Sequence, residues 1–241
     1  MMKKEFLKNG FIKLDALIPF SEVEKIRVLY DELLNDEQRT EGLRSDLSGQ
    51  SKTQDTVEKI TQIMRPSMIE PKLLESIAYK FALNHAKKML GDDMALDFDM
   101  LINKAPYTDT PTPWHQDAAY WIKMPDKRSV SCWIALDDVY ENNGCMWFIH
   151  RKEKIIKPHS LYSKGGALHC KTDTSEAQCI PIQAGGCTFH DGFTLHFSKG
   201  NTTSSQRRAL ILNFRPKEMI ELERKQGIDH TGTRKVRNKD A

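Results

Sequence analysis

Apolar residues recur at helical spacing in two stretches of the first part of the chain. In the first stretch they are Val23, Ile26, Leu29, Tyr30, Leu33 and Leu34. This spacing predicts an amphipathic helix over residues 21–35, which Ser21 and Glu24 open as a capping box. The second stretch begins at Pro71, a residue suited to the first helical position, and stops at Gly91, a residue suited to a helix end. The pattern therefore predicts two helices in this part of the chain.

The residues before and between these helices follow different patterns. The run from Phe6 to Leu14 contains five apolar residues around a turn-prone Asn9-Gly10, and it predicts a first strand laid against the core. From Asn35 to about Glu58 the chain is polar and has few apolar positions. Such a segment predicts a surface loop or lid that becomes ordered when something binds.

Beyond residue 93 apolar residues recur at every second position instead of at helical spacing. Residues 95–103 alternate, which places Leu96 and Phe98 on one side of a predicted strand and Asp97 on the other. Further short strands are predicted over residues 130–136, 144–149, 187–190 and 208–214. Many short strands after a helical lead-in predict a mainly β fold with flanking helices, of the jelly-roll type. The predicted single domain has a helical part over about residues 1–93, a jelly-roll core over about 94–216 and a C-terminal tail over 217–241.

Composition narrows the class of protein. A chain of 241 residues with 39% apolar and 29% charged content is long enough for one substantial core. The net charge of +3 is slight and evenly spread, which argues against a nucleic-acid partner, and the basic run at 234–239 is interpreted as a solvated end. The N-terminus lacks a signal-like apolar run, no stretch is long enough to span a bilayer, and five cysteines without a C-x-x-C pair indicate reduced thiols. A cytoplasmic protein without a membrane partner is expected.

The stretch Trp114-His115-Gln116-Asp117 carries the first candidate chemistry. An imidazole and a carboxylate two positions apart on an extended strand leave the same face and can share one metal ion. A third ligand from a distant strand would complete the face of two histidines and one carboxylate that non-haem Fe(II) oxygenases use. The later strands supply three candidates for it, which are His169, His190 and His196.

His196 is favoured over His190 by its neighbourhood. A turn at residues 199–201 would fold the next strand back beside the first and bring Arg207 near the histidine. The planar guanidinium of arginine can grip the far carboxylate of a dicarboxylate co-substrate through two hydrogen bonds. Arg208 is adjacent on the same predicted strand and should face the opposite side of the sheet.

Several motifs in this order resemble the phytanoyl-CoA dioxygenase family. They are His115-Gln116-Asp117, the run from Cys132 to Asp138, the run from Asn143 to Trp147, His196-Phe197-Ser198, Asn201 and Arg207, together with the opening Phe6 to Ile12 and the helix at Ser21 to Glu24. Members of this family are oxygenases that depend on Fe(II) and 2-oxoglutarate and have a double-stranded β-helix core. The resemblance covers nearly the whole chain.

The resemblance implies a role for each matching residue. His115, Asp117 and His196 would hold Fe(II), and the same three residues would form the catalytic centre. Arg207 would bind the distal carboxylate of 2-oxoglutarate, with help from Ser198, and Trp133 would line the co-substrate pocket.

The implied reaction uses O₂ and 2-oxoglutarate to oxidise a small-molecule metabolite. Succinate and CO₂ would be released, and hydroxylation is the favoured outcome because Asp117 occupies the position that halogenating relatives fill with a small residue. Desaturation and ring formation remain open, as do the prime substrate and the oligomeric state. A cupin-like metal-binding protein or isomerase that does not use 2-oxoglutarate is the alternative function.

The chain also departs from the family pattern. Relatives commonly place a Pro-Gly-Ser-His turn where this chain has residues 150–153, His-Arg-Lys-Glu, so added positive charge is expected at a rim that borders the substrate. Arg65 lies where some relatives place a further arginine for co-substrate or substrate, and its role stays open.

Overall fold

Most helices precede a long run of antiparallel strands in the computed structural model, which describes residues 1–49, 57–162 and 167–231. The α-helices are α1 (Met2–Asn9), α2 (Phe20–Asn35), α3 (Pro66–Ile69), α4 (Ile77–Leu90) and α5 (Lys217–Lys225). The strands are β1 (Phe11–Leu14), β2 (Arg44–Asp46), β3 (Ile60–Met64), β4 (Met94–Lys104), β5 (Thr112–His115), β6 (Val130–Ala135), β7 (Met146–Phe148), β8 (Ser160–Leu161), β9 (Leu168–His169), β10 (Gln178–Ile180), β11 (Cys187–His190), β12 (His196–Ser198) and β13 (Arg207–Pro216).

Two antiparallel sheets form the centre of the fold. The large sheet has seven strands in the order β1-β11-β6-β13-β4-β3-β2, and the small sheet has four in the order β10-β7-β12-β5. One apolar core joins side chains of the large sheet, such as Trp133 and Ile211, to Phe148 of the small sheet. A second core joins the other face of the large sheet to the helices. The predicted mainly β jelly roll with helices on one face is confirmed.

The beginning of the chain differs from the predicted strand. Residues Met2–Asn9 form α1, and only Phe11–Leu14 form the strand β1. Gly10 ends the helix in a left-handed conformation, with φ of 82°, and its N–H donates to the Phe6 carbonyl at 2.8 Å. Phe6 is the buried residue of this short helix, so a single apolar anchor holds it on the helix side of the fold.

Both predicted helices are present, with different beginnings. The helix α2 is capped by the backbone of Pro19 without a side-chain hydrogen bond, so the capping box predicted at Ser21 is wrong. Glu22 instead accepts a hydrogen bond from the Ile77 N–H at 2.9 Å and ties α2 to the start of α4. The second helix is divided at Ser76, because its hydroxyl caps α4 by accepting from the Tyr79 N–H at 3.4 Å.

The polar segment from Asn35 to Glu58 is partly ordered by charge pairing. It contains the strand β2, which pairs with β3 in the large sheet. Arg44 binds both carboxylate oxygens of Glu58, at 3.0 and 2.9 Å, and donates to the Leu34 carbonyl at 2.8 Å. These polar contacts replace the apolar anchors that the sequence lacks. The rest of the predicted lid, at residues 50–56, lies outside the described residues.

The strand β4 contains a bulge that breaks its predicted alternation. Asn213 of β13 pairs with Phe98 and Phe214 pairs with Leu96, so Asp97 is the extra residue on β4. A bulge re-aims neighbouring side chains. Leu96 therefore packs in the core on the helix side, whereas Phe98 packs between the sheets, and the prediction that the two share a face is wrong.

The three predicted parts of the domain are less separate than their boundaries indicate. The strands β1, β2 and β3, all from the predicted helical part, extend the large sheet. The predicted tail begins with the helix α5, whose residue Glu223 is buried. The basic run at 234–239 lies outside the described residues. Among the helices that the structure describes, none combines the length and apolar character needed to cross a membrane.

Candidate active site

The His-x-Asp stretch lies at the end of a strand of the small sheet. The strand β5 stops at His115, and Asp117 begins a short 3₁₀ helix, so the prediction of one strand over both residues is wrong in detail. Gln116 between them stays extended, with φ of −128° and ψ of 129°, and the two side chains still share one side of the chain. His115 Nε2 lies 3.8 Å from Asp117 Oδ1.

His196 meets this pair from the neighbouring strand. The strand β12 pairs with β5 so that His196 stands opposite His115, and the two ring centroids are 4.1 Å apart. His196 Nε2 lies 3.6 Å from Asp117 Oδ1. Each of the three residues offers one ligand atom, and these atoms all lie within 4.8 Å of one another. The structure therefore brings together the three residues that the sequence selected.

Hydrogen bonds fix which nitrogen of each histidine is free. His115 Nδ1 contacts the Pro113 carbonyl at 2.7 Å, and His196 Nδ1 contacts the Thr194 carbonyl at 3.0 Å. A carbonyl only accepts, so both Nδ1 atoms carry the proton and both Nε2 atoms keep a lone pair. Burial lowers the pKa of His115 and lowers that of His196 well below its usual value, which keeps both rings neutral. A neutral imidazole is the form that binds a metal ion.

The second oxygen of Asp117 is held by other residues. Ser131 Oγ donates to Asp117 Oδ2 at 2.8 Å, and Asn213 Nδ2 donates to Ser131 Oγ at 2.9 Å. His190 Nε2 lies 3.3 Å from the same Oδ2. His190, the alternative ligand, therefore contacts Oδ2, whereas His115 and His196 lie near Oδ1, although the His190 and His196 rings are only 4.5 Å apart.

Ser131 and Asn213 are not identified in the sequence analysis, although their spacing from Trp133 and Arg207 indicates that they share a face with these residues. Ser131 precedes Trp133 by two positions on β6, and Asn213 stands opposite Ser131 on the neighbouring strand β13. Asn213 also follows Arg207 by an even number of positions, so both side chains leave the same face of β13. The remaining candidate ligand, His169, lies on β9 and its Nδ1 contacts the Ser160 carbonyl at 3.1 Å.

Arg207 is a buried cation beside the three candidate ligands. Its residue exposure is only 2%, and its Nη2 donates to Ser198 Oγ at 3.4 Å. Its guanidinium carbon lies 5.4 Å from the centroid of the Trp133 ring. Its Nε has no hydrogen-bond partner among the described residues. Burial lowers the pKa of Arg207 to about 10, and no described carboxylate pairs with its guanidinium.

The approach of Arg207 to Ser198 arises differently from the predicted turn. The strands β12 and β13 belong to different sheets, so they do not form a hairpin, and the two side chains meet across the sandwich. Arg208 points away from this region, as alternation predicts. It binds Asp137 and Asp31, each at 2.8 Å, on the helix side.

A second buried cation, Lys104, supports the same corner and was also missed. Lys104 stands opposite Arg207 in the strand pairing and is fully buried. Its Nζ donates to three carbonyls, those of Thr110 at 3.0 Å, Ser198 at 3.3 Å and Lys199 at 2.6 Å. An ammonium has three donors, so the carbonyls satisfy all of them. Lys104 thus holds the turn that carries Ser198.

Gly144 lets this turn come close to β7. Its φ is 90°, and a Cβ atom added there would lie 2.6 Å from the Lys199 carbonyl oxygen. A side chain would therefore be strained by its backbone and would push the turn away.

A cavity of about 710 Å³ connects these groups. The three candidate ligands line it together with Ser131, His190, Trp133, Ser198 and Arg207. Another part of its wall is apolar and includes Phe98, Met100 and Trp121. The C-terminal segment, from Gln226 to Thr231, completes the wall.

The extra positive charge expected at the rim is neutralised. Arg151 Nε lies 2.7 Å from Asp191 Oδ2, and Lys152 Nζ lies 2.7 Å from Glu176 Oε2. Neither basic residue lines the cavity, so the expectation of a positively charged substrate rim at 150–153 is wrong. Arg65 instead donates to the Asp229 carbonyl at 2.6 Å and contacts the C-terminal segment.

The residues present fit Fe(II) and a dicarboxylate co-substrate. Two neutral imidazoles and one carboxylate oxygen, gathered on one side of a cavity, form the donor set that non-haem Fe(II) oxygenases use. The unpaired buried guanidinium of Arg207 matches the far carboxylate of such a co-substrate, since a buried charge requires a partner.

The chain is similar to known proteins over most of its length. Residues 6–209 match the family model described as phytanoyl-CoA dioxygenase (PhyH). The chain is 25% identical over 225 residues to the peroxisomal phytanoyl-CoA dioxygenase of Homo sapiens, over 88% of this chain and 67% of that protein. It is 23% identical to a probable alpha-ketoglutarate-dependent hypophosphite dioxygenase of Stutzerimonas stutzeri, over 88% of this chain and 77% of that protein.

A solved structure adds the co-substrate. EvdO2 from Micromonospora carbonacea var. aurantiaca, crystallised with 2-oxoglutarate, superposes with a TM-score of 0.72 at 26% identity and 88% coverage of each chain. The chain therefore belongs to the phytanoyl-CoA dioxygenase family and is a dioxygenase that depends on Fe(II), 2-oxoglutarate and O₂.

Proposed function

We propose that this dioxygenase hydroxylates a small-molecule metabolite at a face formed by His115, Asp117 and His196. In the proposed reaction a substrate C–H bond, 2-oxoglutarate and O₂ become a C–OH group, succinate and CO₂. Arg207 and Ser198 bind the distal carboxylate of 2-oxoglutarate, and Trp133 lines the co-substrate pocket. Activation of O₂ is the chemistry supplied there when Fe(II) and 2-oxoglutarate are bound.

The unpaired guanidinium of Arg207 is the observation that carries this proposal. An isolated buried charge costs several kcal/mol unless it is paired, and Arg207 has no described carboxylate within reach while Arg208 next to it has two. A dicarboxylate that binds Arg207 supplies the negative charge that its buried guanidinium lacks. An imidazole and carboxylate face by itself fits many metal proteins, so Arg207 is what favours a 2-oxoglutarate enzyme.

The protein residues have separate tasks in this reaction. His115 and His196 present neutral Nε2 atoms because backbone carbonyls hold their protons on Nδ1. Asp117 presents Oδ1 on the same side, because Ser131 and His190 hold Oδ2. These contacts fix the donor atoms before any metal binds, which reduces the reorganisation that binding requires.

The cavity wall gives the second part of the mechanism. Phe98, Met100 and Trp121 make part of the cavity wall apolar, which disfavours water beside them. A substrate C–H bond held there meets no competing polar group from these three side chains. The apolar wall therefore favours a substrate with a hydrocarbon or aromatic part at the position that is oxidised.

Succinate formation tests the proposed function. We expect the enzyme with Fe(II), ascorbate and 2-oxoglutarate to release succinate faster in the presence of particular members of a metabolite panel, with one hydroxylated product per succinate. Mass spectrometry under ¹⁸O₂ should place one labelled oxygen in that product. Succinate without a product that gains oxygen would contradict hydroxylation, and an enzyme that never consumes 2-oxoglutarate would contradict the role given to Arg207.

The alternative function, a cupin-like metal protein or isomerase without 2-oxoglutarate, is not favoured. It would leave the buried Arg207 without a carboxylate partner among the described residues, and it disagrees with the family to which the chain belongs.

A further inference from the structure

A second buried ionic cluster borders the same cavity. We call it the C-terminal cluster, and its members are Asp97, Arg215, Glu223, Arg224 and His230. Asp97, Glu223 and His230 each offer an atom within 4.8 Å of the others, so by distance alone they resemble a metal site. Arg215 excludes that role, since its guanidinium binds both Asp97 and Glu223. The carboxylates are therefore already neutralised by a cation of the protein.

The bulge at Asp97 makes this cluster possible. Asp97 is the unpaired residue of β4, next to Phe98, and it binds Arg215 Nε at 2.6 Å. Its backbone carbonyl also accepts from Arg224 at 2.7 Å, so α5 is fastened to the bulge. Arg215 in turn lies over the ring of Trp121 at 4.9 Å. The cluster thus holds both an apolar wall residue and the C-terminal helix in place.

The segment after α5 is fastened at three further points. Arg224 donates to the Ile228 carbonyl at 3.0 Å, and Arg65 donates to the Asp229 carbonyl at 2.6 Å. The ring of His230 lies against the ring of Phe98, with centroids 4.1 Å apart. Arg65 reaches this position from a left-handed backbone, with φ of 51°, a strained conformation that persists only where the surroundings require it. This part of the cavity wall is therefore built by specific contacts.

One nitrogen of His230 remains available to a ligand. His230 Nε2 lies 2.8 Å from Glu223 Oε2 and 3.4 Å from Asp97 Oδ2, so Nε2 carries a proton. Arg215 Nη2 lies 3.1 Å from the same nitrogen, and its positive charge disfavours a positive charge on the ring. His230 lines the cavity, and its Nδ1 makes no hydrogen bond with the residues that the structure describes.

The charges around His230 leave a positive surplus. Burial alone would lower the pKa of His230, but hydrogen bonds to Asp97 and Glu223 more than offset this and raise the pKa. The two carboxylates that face Nε2 therefore favour the charged form of the ring, in which Nδ1, open to the cavity, also carries a proton that can be donated. The neighbouring cations are Arg65, Arg215, Arg224 and His230, and the neighbouring carboxylates are Asp97, Glu223 and Asp229. With the ring charged, these described residues are four cations and three carboxylates.

We infer that the prime substrate carries a carboxylate, which His230 binds through Nδ1, and an apolar body that lies against Phe98 and Trp121. This inference rests on the proposed function, because it concerns the substrate of the same cavity. His230 is then the residue that selects acidic substrates over neutral ones of the same shape. Lys123 also lines the cavity and is the competing candidate for this task.

A pair of isosteric probes tests the inference on the full chain. The enzyme is loaded with Fe(II) and saturating 2-oxoglutarate without O₂, so that Arg207 is occupied. Binding of 3-phenylpropionate and of 3-phenylpropionamide is then measured by calorimetry. A charge-assisted hydrogen bond is about twice as strong as a neutral one, and we expect the carboxylate to bind roughly tenfold more tightly than the amide.

Variants identify the residue responsible. We expect His230→Gln to bind both probes equally, and His85→Gln, on α4 at the helix side, to keep the wild-type preference. Lys123→Gln should keep it as well. Thermal unfolding of each variant shows whether it is folded, and a misfolded His230→Gln protein leaves the wild-type comparison as the deciding test.

The outcomes separate this inference from the proposed function. Wild-type enzyme that does not prefer the carboxylate, including enzyme that binds neither probe, overturns the inference. So does loss of the preference in Lys123→Gln with retention in His230→Gln. The visible charge-transfer absorption of 2-oxoglutarate on Fe(II) is recorded in the same samples. Its presence without a probe preference rejects only the inference, and its absence rejects the proposed function and the inference together.

Discussion

Two buried clusters of histidine and carboxylate border one cavity, and they differ in what surrounds them. Among the described residues, Asp117 contacts three imidazoles and the hydroxyl of Ser131, so the donor atoms of His115 and His196 keep free lone pairs. Around Asp97 and Glu223 lie guanidinium groups, which occupy the space a metal ion would need. Distances between donor atoms alone do not distinguish the two clusters.

The comparison shows that the role of a buried arginine depends on whether the protein provides it with carboxylate partners. In the C-terminal cluster Arg215 is paired with two carboxylates and contributes to folding. Near the proposed iron site Arg207 is equally buried and has no described carboxylate partner, which fits the distal carboxylate of 2-oxoglutarate as the partner that we propose. In this proposal the same residue type stabilises the fold in one cluster and binds co-substrate in the other.

Removal of a proposed metal ligand should have the largest effect. We expect His196→Ala to lose Fe(II) binding and turnover almost completely, because two remaining ligands hold the ion weakly. His190→Ala should retain a metal site, with Fe(II) affinity reduced by no more than about 10- to 100-fold, as for the loss of a residue that orients a ligand. Anaerobic Fe(II) titration measures both. A dead His190→Ala enzyme beside an active His196→Ala enzyme would show that the ligand assignment is wrong.

Matched arginine substitutions should separate the clusters by stability. Arg215→Met removes the guanidinium that binds both buried carboxylates, which Arg224 and His230 compensate only in part, and we expect it to lower the free energy of unfolding by up to about 3–5 kcal/mol. Arg207→Met removes an unpaired buried cation, so the metal-free protein should be no less stable than wild type. Urea unfolding of the metal-free proteins measures the difference. Equal destabilisation by both substitutions would refute the contrast between them.

Substitution of Arg207 should instead affect the co-substrate. We expect Arg207→Ala to raise the apparent KM for 2-oxoglutarate by at least about a hundredfold, because a buried charge pair is lost. Arg207→Lys should also be impaired, since an ammonium cannot replace the planar fork. Arg208→Ala is the control, because Arg208 binds Asp31 and Asp137 outside the cavity. An unchanged KM in Arg207→Ala, with 2-oxoglutarate varied at saturating substrate, would reject the assignment.

The smallest expected effect is a pH dependence of stability at His230. Its pKa in the folded protein is raised above that of the unfolded chain, which is about 6.5. The charged ring therefore stabilises the fold fully below that pH, and the stabilisation is lost as pH rises through the folded pKa. The charged groups that face the ring are Asp97, Glu223, Arg215 and Arg224.

The measurement for His230 is the difference in unfolding free energy between wild type and His230→Gln. We expect this difference to shrink as pH rises above about 6.5, by about 1 kcal/mol or less. A difference that grows over the same range would mean that the ring is neutral in the folded protein.

Local pattern predicted much of the fold and the three candidate ligands. Period and spacing are local properties, so α2, β4, β6, β11 and β13 and the His-x-Asp stretch could be read from neighbouring residues. The sequence predicts that a turn at residues 199–201 brings Arg207 near His196. That reason is wrong, because the two strands lie in different sheets. Contact across the sandwich depends on the packing of sheets, which has no signature in a short window.

The C-terminal cluster could not be predicted for the same reason. Asp97 and Arg215 are separated by 118 positions, and their meeting depends on a bulge that the alternating pattern conceals. The sequence predicts a C-terminal tail over residues 217–241, whereas residues 217–225 form the short helix α5. Its anchors are buried ion pairs, which hydrophobic periodicity does not detect.

Anomalous scattering at the iron edge, from crystals grown without O₂ in the presence of Fe(II) and 2-oxoglutarate, tests the central claim most directly. We expect one strong peak among His115, Asp117 and His196, with co-substrate density reaching Arg207, and no peak at Asp97, Glu223 and His230. A peak in the C-terminal cluster, or iron bound with Arg207 still unpaired, would contradict the account.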